Sequence, residues 1–439
     1  MADLAYDTRL AARVVLYDIN AEAAARNARM GAQFAKASRG APAVYETAPS
    51  LQAALEGADI VVVSILPGRF EDMAHDIDIP ARYGLVQSVG DTVGPGGFVR
   101  ALRSIPMMME IGQAIAEHAP DAFVCNLTNP MSVLTGTLYR AFPGIKCWGE
   151  CHEVIKLRKQ VAWIANQSEG TARWTSRDVS VNVLGINHFT FVDAIALNGQ
   201  DMLPAYSEFA TAQANSGWAE NPPAANDEHA SYFEDRSRVK FDLLRRFGIP
   251  AAAGDRHLAE FLPPNLYLAD AKGWDFGLTP VEYRVRYQAQ KRARAEALAD
   301  GQITPEPARS QEALVDQIAA LMQGGPYISN VNLPNRGQIE NLPAGTIVET
   351  NAVFSGLGIQ PVLAGRLPDA LHAVVADHAA RQTDMLEVFC AGAFDELFEL
   401  FRTDPQVAAL PTDKARAMYN EMVQATAGYL PRGLQEGAA

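Results

Sequence analysis

The sequence predicts an α/β protein in which a doubly wound, mostly parallel sheet is followed by an α+β region. Three observations carry that expectation. Over the first 150 residues short apolar runs alternate with helical segments; the runs are too short to be helices; and from about residue 178 the pattern changes to strands that alternate inward and outward positions. The expected division is therefore 1–177 for the first domain and 178–439 for the second. The chain has 439 residues, 48% of them hydrophobic and 20% charged, which suits folded domains and excludes a disordered or collagen-like chain.

Taken in order, Arg13 to Asp18 (RVVLYD) reads as a strand, followed by a helix over 21–37 that Asn20 caps. Asp59 to Ile65 (DIVVVSI) and Ala122 to Asn126 (AFVCN) read as strands covered on both faces, so ligands are expected outside their carboxyl ends. VSVNVLGINHFTFVDAIALNGQ reads as an antiparallel hairpin with an Asn198-Gly199 turn. Residues 210–230, rich in Ala, Asn, Pro and acids, read as an excursion. Thr279-Pro280-Val281-Glu282 matches a capping box opening a helix over 284–298, and the chain beyond 365 reads as helical.

Lys plus Arg total 37 against 51 Asp plus Glu, a formal charge of -14 with no basic run, so a nucleic-acid footprint is not expected. No window of 18 consecutive apolar residues exists to span a bilayer. Four cysteines (Cys125, Cys147, Cys151, Cys390) make no dense disulfide framework and no signal-peptide stretch opens the chain, which points to a reducing cytoplasm.

Four clusters offer chemistry. Gln87 to Pro106 holds Gly90, Gly94, Gly96 and Gly97 ahead of Arg100 and Arg103; a scaffolding turn before a helix explains it as readily as a ligand cradle. Cys125 to Pro130 (CNLTNP) offers the amides of Asn126 and Asn129, or else a helix start. Glu150 to Val154 (ECHEV) sets a thiol beside an imidazole, suited to a divalent metal or a nucleophile with its base, although neighbours on a strand face opposite ways. His188 in GINHF and the triplet Asp255-Arg256-His257 in GDRHLAEF lie against apolar segments, where His188 alone is as readily a satisfied core histidine. Tyr17-Asp18 resembles the acid-tipped second strand of a dinucleotide-binding unit, where the acid meets the adenosine ribose.

Together LYDIN, VGDTVGPGG, NLTNP, the Cys-His pair, GINHF, GDRHLAEF and NLPNRGQIENLP resemble glycoside hydrolase family 4, and CHEV resembles its α-galacturonidase branch. The resemblance implies a Rossmann-like first domain and a second domain for substrate, metal and oligomer contacts, as a homodimer or homotetramer. It places the first strand and glycine-rich loop upstream of Met1, through either a start at an internal Met or a degenerate form that binds NAD weakly, and this chain is expected to fold poorly at its N-terminal sheet or to fail to retain NAD. It implies NAD and Mn2+ as cofactors and α-galacturonides as substrates. The reaction it implies is oxidation at sugar C3, C2 deprotonation, elimination of the glycosidic oxygen, water addition and return of the hydride.

By the same resemblance Cys151 and His188 are the metal ligands, Asp255 the C2 base, and His152 the group acting on the leaving oxygen or C3 hydroxyl. Asp18, Asn20, Ser64 and Asn126 fall on the cofactor side; Asn126, Asn129, His152, Arg256 and Arg284 fall on the sugar side, with Arg286 a further cation for a uronate carboxylate. Two other readings share much of this pattern: an NAD-dependent dehydrogenase of the lactate or malate kind, and a non-catalytic homologue without cofactor.

Overall fold

The computed structural model describes residues 1–38, 40–220 and 227–437. Strands β1 (Ala12–Leu16) and β2 (Ala43–Thr47) form a parallel pair of their own, joined by the helix Ala21–Ala37. The Asn20 side chain accepts from the Ala23 amide at 3.1 Å and so caps that helix, a contact worth about 1 kcal/mol.

A larger sheet holds β3 (Ile60–Val63), β4 (Phe123–Asn126) and β5 (Lys146–Gly149), all parallel. β3 is its edge, and Val62 is 44% exposed there, so the expectation that this run is covered on both faces holds for β4 and fails for β3. Between β3 and β4 runs the helix Gly94–His118, with Val99, Leu102 and Ile105 fully buried. Its tight entry requires glycine at 97, where a Cβ would come within 2.5 Å of the Thr92 backbone.

From residue 179 a separate three-stranded sheet forms: β6 (Val179–Ile186), β7 (Phe189–Leu197) and β8 (Gln200–Asp201). β7 turns into β8 at Asn198 and Gly199, with φ of 49° and 77°, the left-handed pair a tight hairpin needs. β9 (Tyr327–Pro334), β10 (Ile347–Ser355) and β11 (Gly358–Pro361) then return to the first sheet, whose order is β11-β10-β9-β5-β4-β3. β9 meets β5 antiparallel at Gly149 and Asn332, so the larger sheet draws strands from both sides of the expected 177/178 division.

Helices Asp369–Ala391, Leu397–Arg402 and Thr412–Ala425 finish the fold and bury Phe398, Phe401 and Met418 against the 94–118 helix. In the expected excursion over 210–230, residues 221–226 lie outside the described residues. The helix expected from 284 runs Val281–Ala299, and the Thr279 side chain does not cap it: its hydroxyl donates to the Tyr232 carbonyl at 3.1 Å and is bonded by Arg256. Among the described residues no helix is long and apolar enough to cross a membrane, and all four cysteines are free thiols.

Candidate functional site

Three chain segments converge on one polar group. Asp91 lies within the glycine-rich turn that leads into the 94–118 helix, His188 sits at the tip of the β6–β7 hairpin with φ of 64°, and His257 lies in the short helix Asp255–Leu258. A carboxylate oxygen of Asp91 and one ring nitrogen from each histidine lie within 4.8 Å of one another. A histidine held at positive φ is an uncommon backbone state, and the next residue, Phe189, stacks on Phe261 with ring centroids 4.7 Å apart.

The protons in this group can be assigned. The Thr92 hydroxyl donates to Asp91 Oδ1 at 2.8 Å, so its contact of 2.8 Å with His188 Nδ1 has the ring nitrogen as donor. That leaves His188 Nε2 with a free lone pair. His257 Nδ1 is buried with no partner among the described residues. Burial pushes His188 down from its ordinary range, opposed by Asp91 and Glu153, and burial reinforced by His188 pushes His257 down to about 3. Burial alone raises the Asp91 carboxyl, yet His257, His188 and Arg100 outweigh it and hold the group well below the usual carboxylate range. Two neutral imidazoles beside an ionised carboxylate form a donor set for a divalent cation, and the oxygen donor suits a hard ion such as Mn2+.

Around this core the expected residues divide. Asn129 is at the site: its Nδ2 donates to Asp91 Oδ2 at 3.3 Å, and its Oδ1 is buried without a partner. Cys151 is buried and stands outside the three-donor group, with burial and then Glu349 pushing its thiol well above the ordinary value. Its neighbour His152, like it past the end of β5, has a side chain 62% exposed, with Glu153 at 3.6 Å and Glu312 at 3.7 Å. Asp255 is fully buried, and its oxygens accept from the Val239 and Lys240 amides at 3.1 Å and 3.0 Å; burial, with Asp235 nearby, pushes it up to about 7. Asn126 is fully buried and its amide is taken up by Thr128 and Thr135, so in this structure it shapes the turn after β4.

Of the residues expected to meet the cofactor, Asp18 accepts from the Asn20 amide at 2.7 Å just past β1, and Ser64 stands exposed just past β3. The amides at the start of the 94–118 helix and in the turn before it are occupied: Glu260 takes Val89 and Gly90, Asp404 takes Gly94 and Gln87 takes Gly96. Arg103 is spent on a buried pair with Asp76.

Several members of the site were not singled out from the sequence. Asp91 sits inside the quoted VGDTVG run, Glu153 inside ECHEV, and His257 inside the noted triplet, but no local spacing distinguishes their roles. Glu153 is buried, accepts from the Gly254 amide at 2.9 Å and pairs with Lys156 at 3.0 Å; Lys156 and the histidines overcome burial and hold it well below its ordinary range. Glu349 on β10 is bonded by Asn330 at 2.9 Å and by Asn187 and Asn332 at 3.3 Å each, and burial pushes it up to about 7. A cavity of about 540 Å³ lined by Phe123, Tyr139, Lys146 and Leu357 opens at the amino ends of β4 and β5 and contains none of these groups.

Residues 1–167 match the model of family 4 glycosyl hydrolases and residues 183–407 match that family's C-terminal domain. An α-galacturonidase of Thermoanaerobacterium saccharolyticum is 42% identical over 98% of this chain and 93% of its own length. One of Bacillus subtilis is 42% identical over 97% and 93%. A Bacillus subtilis protein provisionally named a glucosidase has a crystal structure that matches at a TM-score of 0.90 with 41% identity, covering 96% of this chain and 95% of that one. A 6-phospho-α-glucosidase from gut microorganisms, solved with NAD and Mn2+, shares the fold at a TM-score of 0.76 and 19% identity over 95% and 92%.

Proposed function

Because this chain belongs to family 4 of the glycosyl hydrolases, we propose that it hydrolyses α-galacturonides in the cytoplasm, as a homo-oligomer, with NAD and a divalent ion such as Mn2+. The single observation that carries the reading is the Asp91, His188 and His257 donor group with the unsatisfied Asn129 amide oxygen beside it. Those residues suit an ion bound against a polar ligand, and His188 is common to this group and to the Cys151–His188 pair. The exposed Asp18 and Ser64 past β1 and β3 suit the adenosine end of NAD.

When bound, the cofactor supplies reversible hydride transfer at sugar C3 and the ion supplies Lewis acidity at the sugar hydroxyls. The chain's own residues do the rest. Thr92 fixes the His188 tautomer, and Asn129 ties Asp91 to the strand end and leaves an oxygen free to accept from a sugar hydroxyl. Asp255, with its carboxyl raised by burial, is suited to take the C2 proton, since a base works best with a pKa near the working pH. In this reading His152, exposed beside Glu153 and Glu312, is the group that exchanges a proton with the leaving oxygen.

The test is hydrolysis of a 4-nitrophenyl α-galacturonide in heavy water with NAD and Mn2+ present. Product labelled at C2, with no net NADH formed, is expected. Unlabelled product excludes the oxidation and elimination route, and steady accumulation of NADH marks a dehydrogenase instead.

A further inference from the structure

We infer that Arg100 and Arg284 together seat the carboxylate of a uronic acid sugar beside the Asp91 group. This rests on the galacturonide reading above and specifies which cations read the acid.

Five arginines stand near the site, and three of them are occupied. Arg256 donates to the Gly277 carbonyl at 2.9 Å and the Ser88 carbonyl at 3.0 Å, bonds the Thr279 hydroxyl, and lies 5.0 Å over the Phe233 ring. Arg286 points outward and pairs with Glu228 at 2.8 Å. Arg103 is held by Asp76 and the Pro67 carbonyl. Each of these guanidinium groups already has its acceptors.

Arg100 and Arg284 do not. Arg100 is 7% exposed, forms no ion pair among the described residues, and its Nε donates at 3.3 Å to the Asn129 carbonyl. Arg284 forms no ion pair among the described residues, and its Nε is buried without an acceptor. The charge of Arg256 and then that of Arg100 oppose the charge of Arg284, and Asp91 acts on both Arg100 and Arg284, joined at Arg100 by Asp76. Asp91 in turn belongs to the histidine group, and the other acid near Arg284, Glu260, is pushed up to about 7 by burial. Two largely buried guanidinium groups therefore lack an acid of their own, because Asp91 has other work and Asp76 is paired with Arg103.

Buried cations left in that state are costly, and a bound anion relieves the cost. A planar carboxylate matches the guanidinium fork. Asn129 links Arg100 to Asp91 in two hydrogen bonds, which ties Arg100 to the histidine group.

The experiment measures binding of free galacturonate, galactose and NADH by calorimetry in the presence of Mn2+, for the wild type, Arg284→Gln, Arg284→Lys and Arg100→Lys. KM for the 4-nitrophenyl galacturonide is measured in parallel. The wild type is expected to prefer galacturonate over galactose. Arg284→Gln is expected to weaken galacturonate by roughly 10- to 100-fold, the scale of charge-assisted hydrogen bonds, with galactose and NADH binding unchanged. Both lysine variants, which keep the charge and lose the fork, are expected to fall between, and their thermal melts establish that the fold is intact.

Loss of NADH affinity with galacturonate binding intact would overturn the inference and assign the pair to the dinucleotide's pyrophosphate. Wild-type galacturonate binding in folded Arg284→Gln overturns it as well, even if galacturonides are hydrolysed. Arginine-dependent galacturonate binding without any hydrolysis supports the seat while the catalytic reading falls.

Discussion

The imidazoles of His188 and His257 stack with centroids 3.8 Å apart and an interplanar angle of 34°. Two rings that close cannot both be charged, so burial and mutual repulsion keep lone pairs available at neutral pH. Thr92 selects which nitrogen of His188 keeps its lone pair. Thr92→Val is therefore expected to weaken Mn2+ binding by about 10- to 100-fold, the scale found when a partner orienting a metal ligand is lost. Electron paramagnetic titration with Mn2+ measures this, and wild-type affinity in the variant would remove Thr92 from the site.

Asp91 and Cys151 differ in hardness, and metal choice should separate them. Asp91→Asn is expected to depress Mn2+ affinity more than Cd2+ affinity, and Cys151→Ser to do the reverse. Equal loss of both ions in both variants would mean that the two residues act as one ligand set.

Asp255 joins two roles, because its carboxylate caps the amides of Val239 and Lys240 while its raised pKa suits a base. Asp255→Asn keeps one of the two oxygen acceptors and turns the other into a donor facing an amide, so about 1–3 kcal/mol of stability should be lost, while kcat per folded molecule falls by about 10²- to 10⁴-fold. A variant that loses stability and keeps its turnover per folded molecule would leave Asp255 with the cap alone.

Glu260 gives a pH dependence of defined sign. Burial raises its carboxyl to about 7 in the folded state, although the Val89 and Gly90 amides, at 2.7 Å and 2.9 Å, partly offset this. The folded protein then holds a proton that the unfolded chain has lost, so this group's contribution is full below about pH 4.5 and declines as pH rises to about 7. Glu260→Gln should flatten that decline, by up to about 3 kcal/mol between pH 5 and 8, in urea unfolding. An unchanged slope would show Glu260 already ionised in the folded protein.

Much of the scaffold was legible from local pattern. The strands leading up to Asp18, Ser64 and Asn126, the Asn20 cap and the Asn198-Gly199 turn each depend on residues a few positions apart. The site was less so, because it is assembled from partners that lie far apart. Thr279 has the sequence of a cap, yet Arg256 takes its hydroxyl; Asn126 has the look of a ligand contact, yet Thr128 and Thr135 consume it. Asp91 gains its meaning from His188 and His257, roughly a hundred or more positions downstream, which no periodicity reports.

The seam between β5 and β9 bears on how the protein is made. The Asn332 side chain reaches the Gly149 carbonyl across 183 residues of chain, and their strands pair there. At ribosomal speeds of roughly 5–20 residues per second, β5 leaves synthesis about 10–40 s before its neighbour exists. Through that interval one edge of the nascent sheet is an open template for pairing with other chains. A chaperone that shields an exposed strand edge is thus expected to raise the yield of this protein more than one that acts on the finished chain.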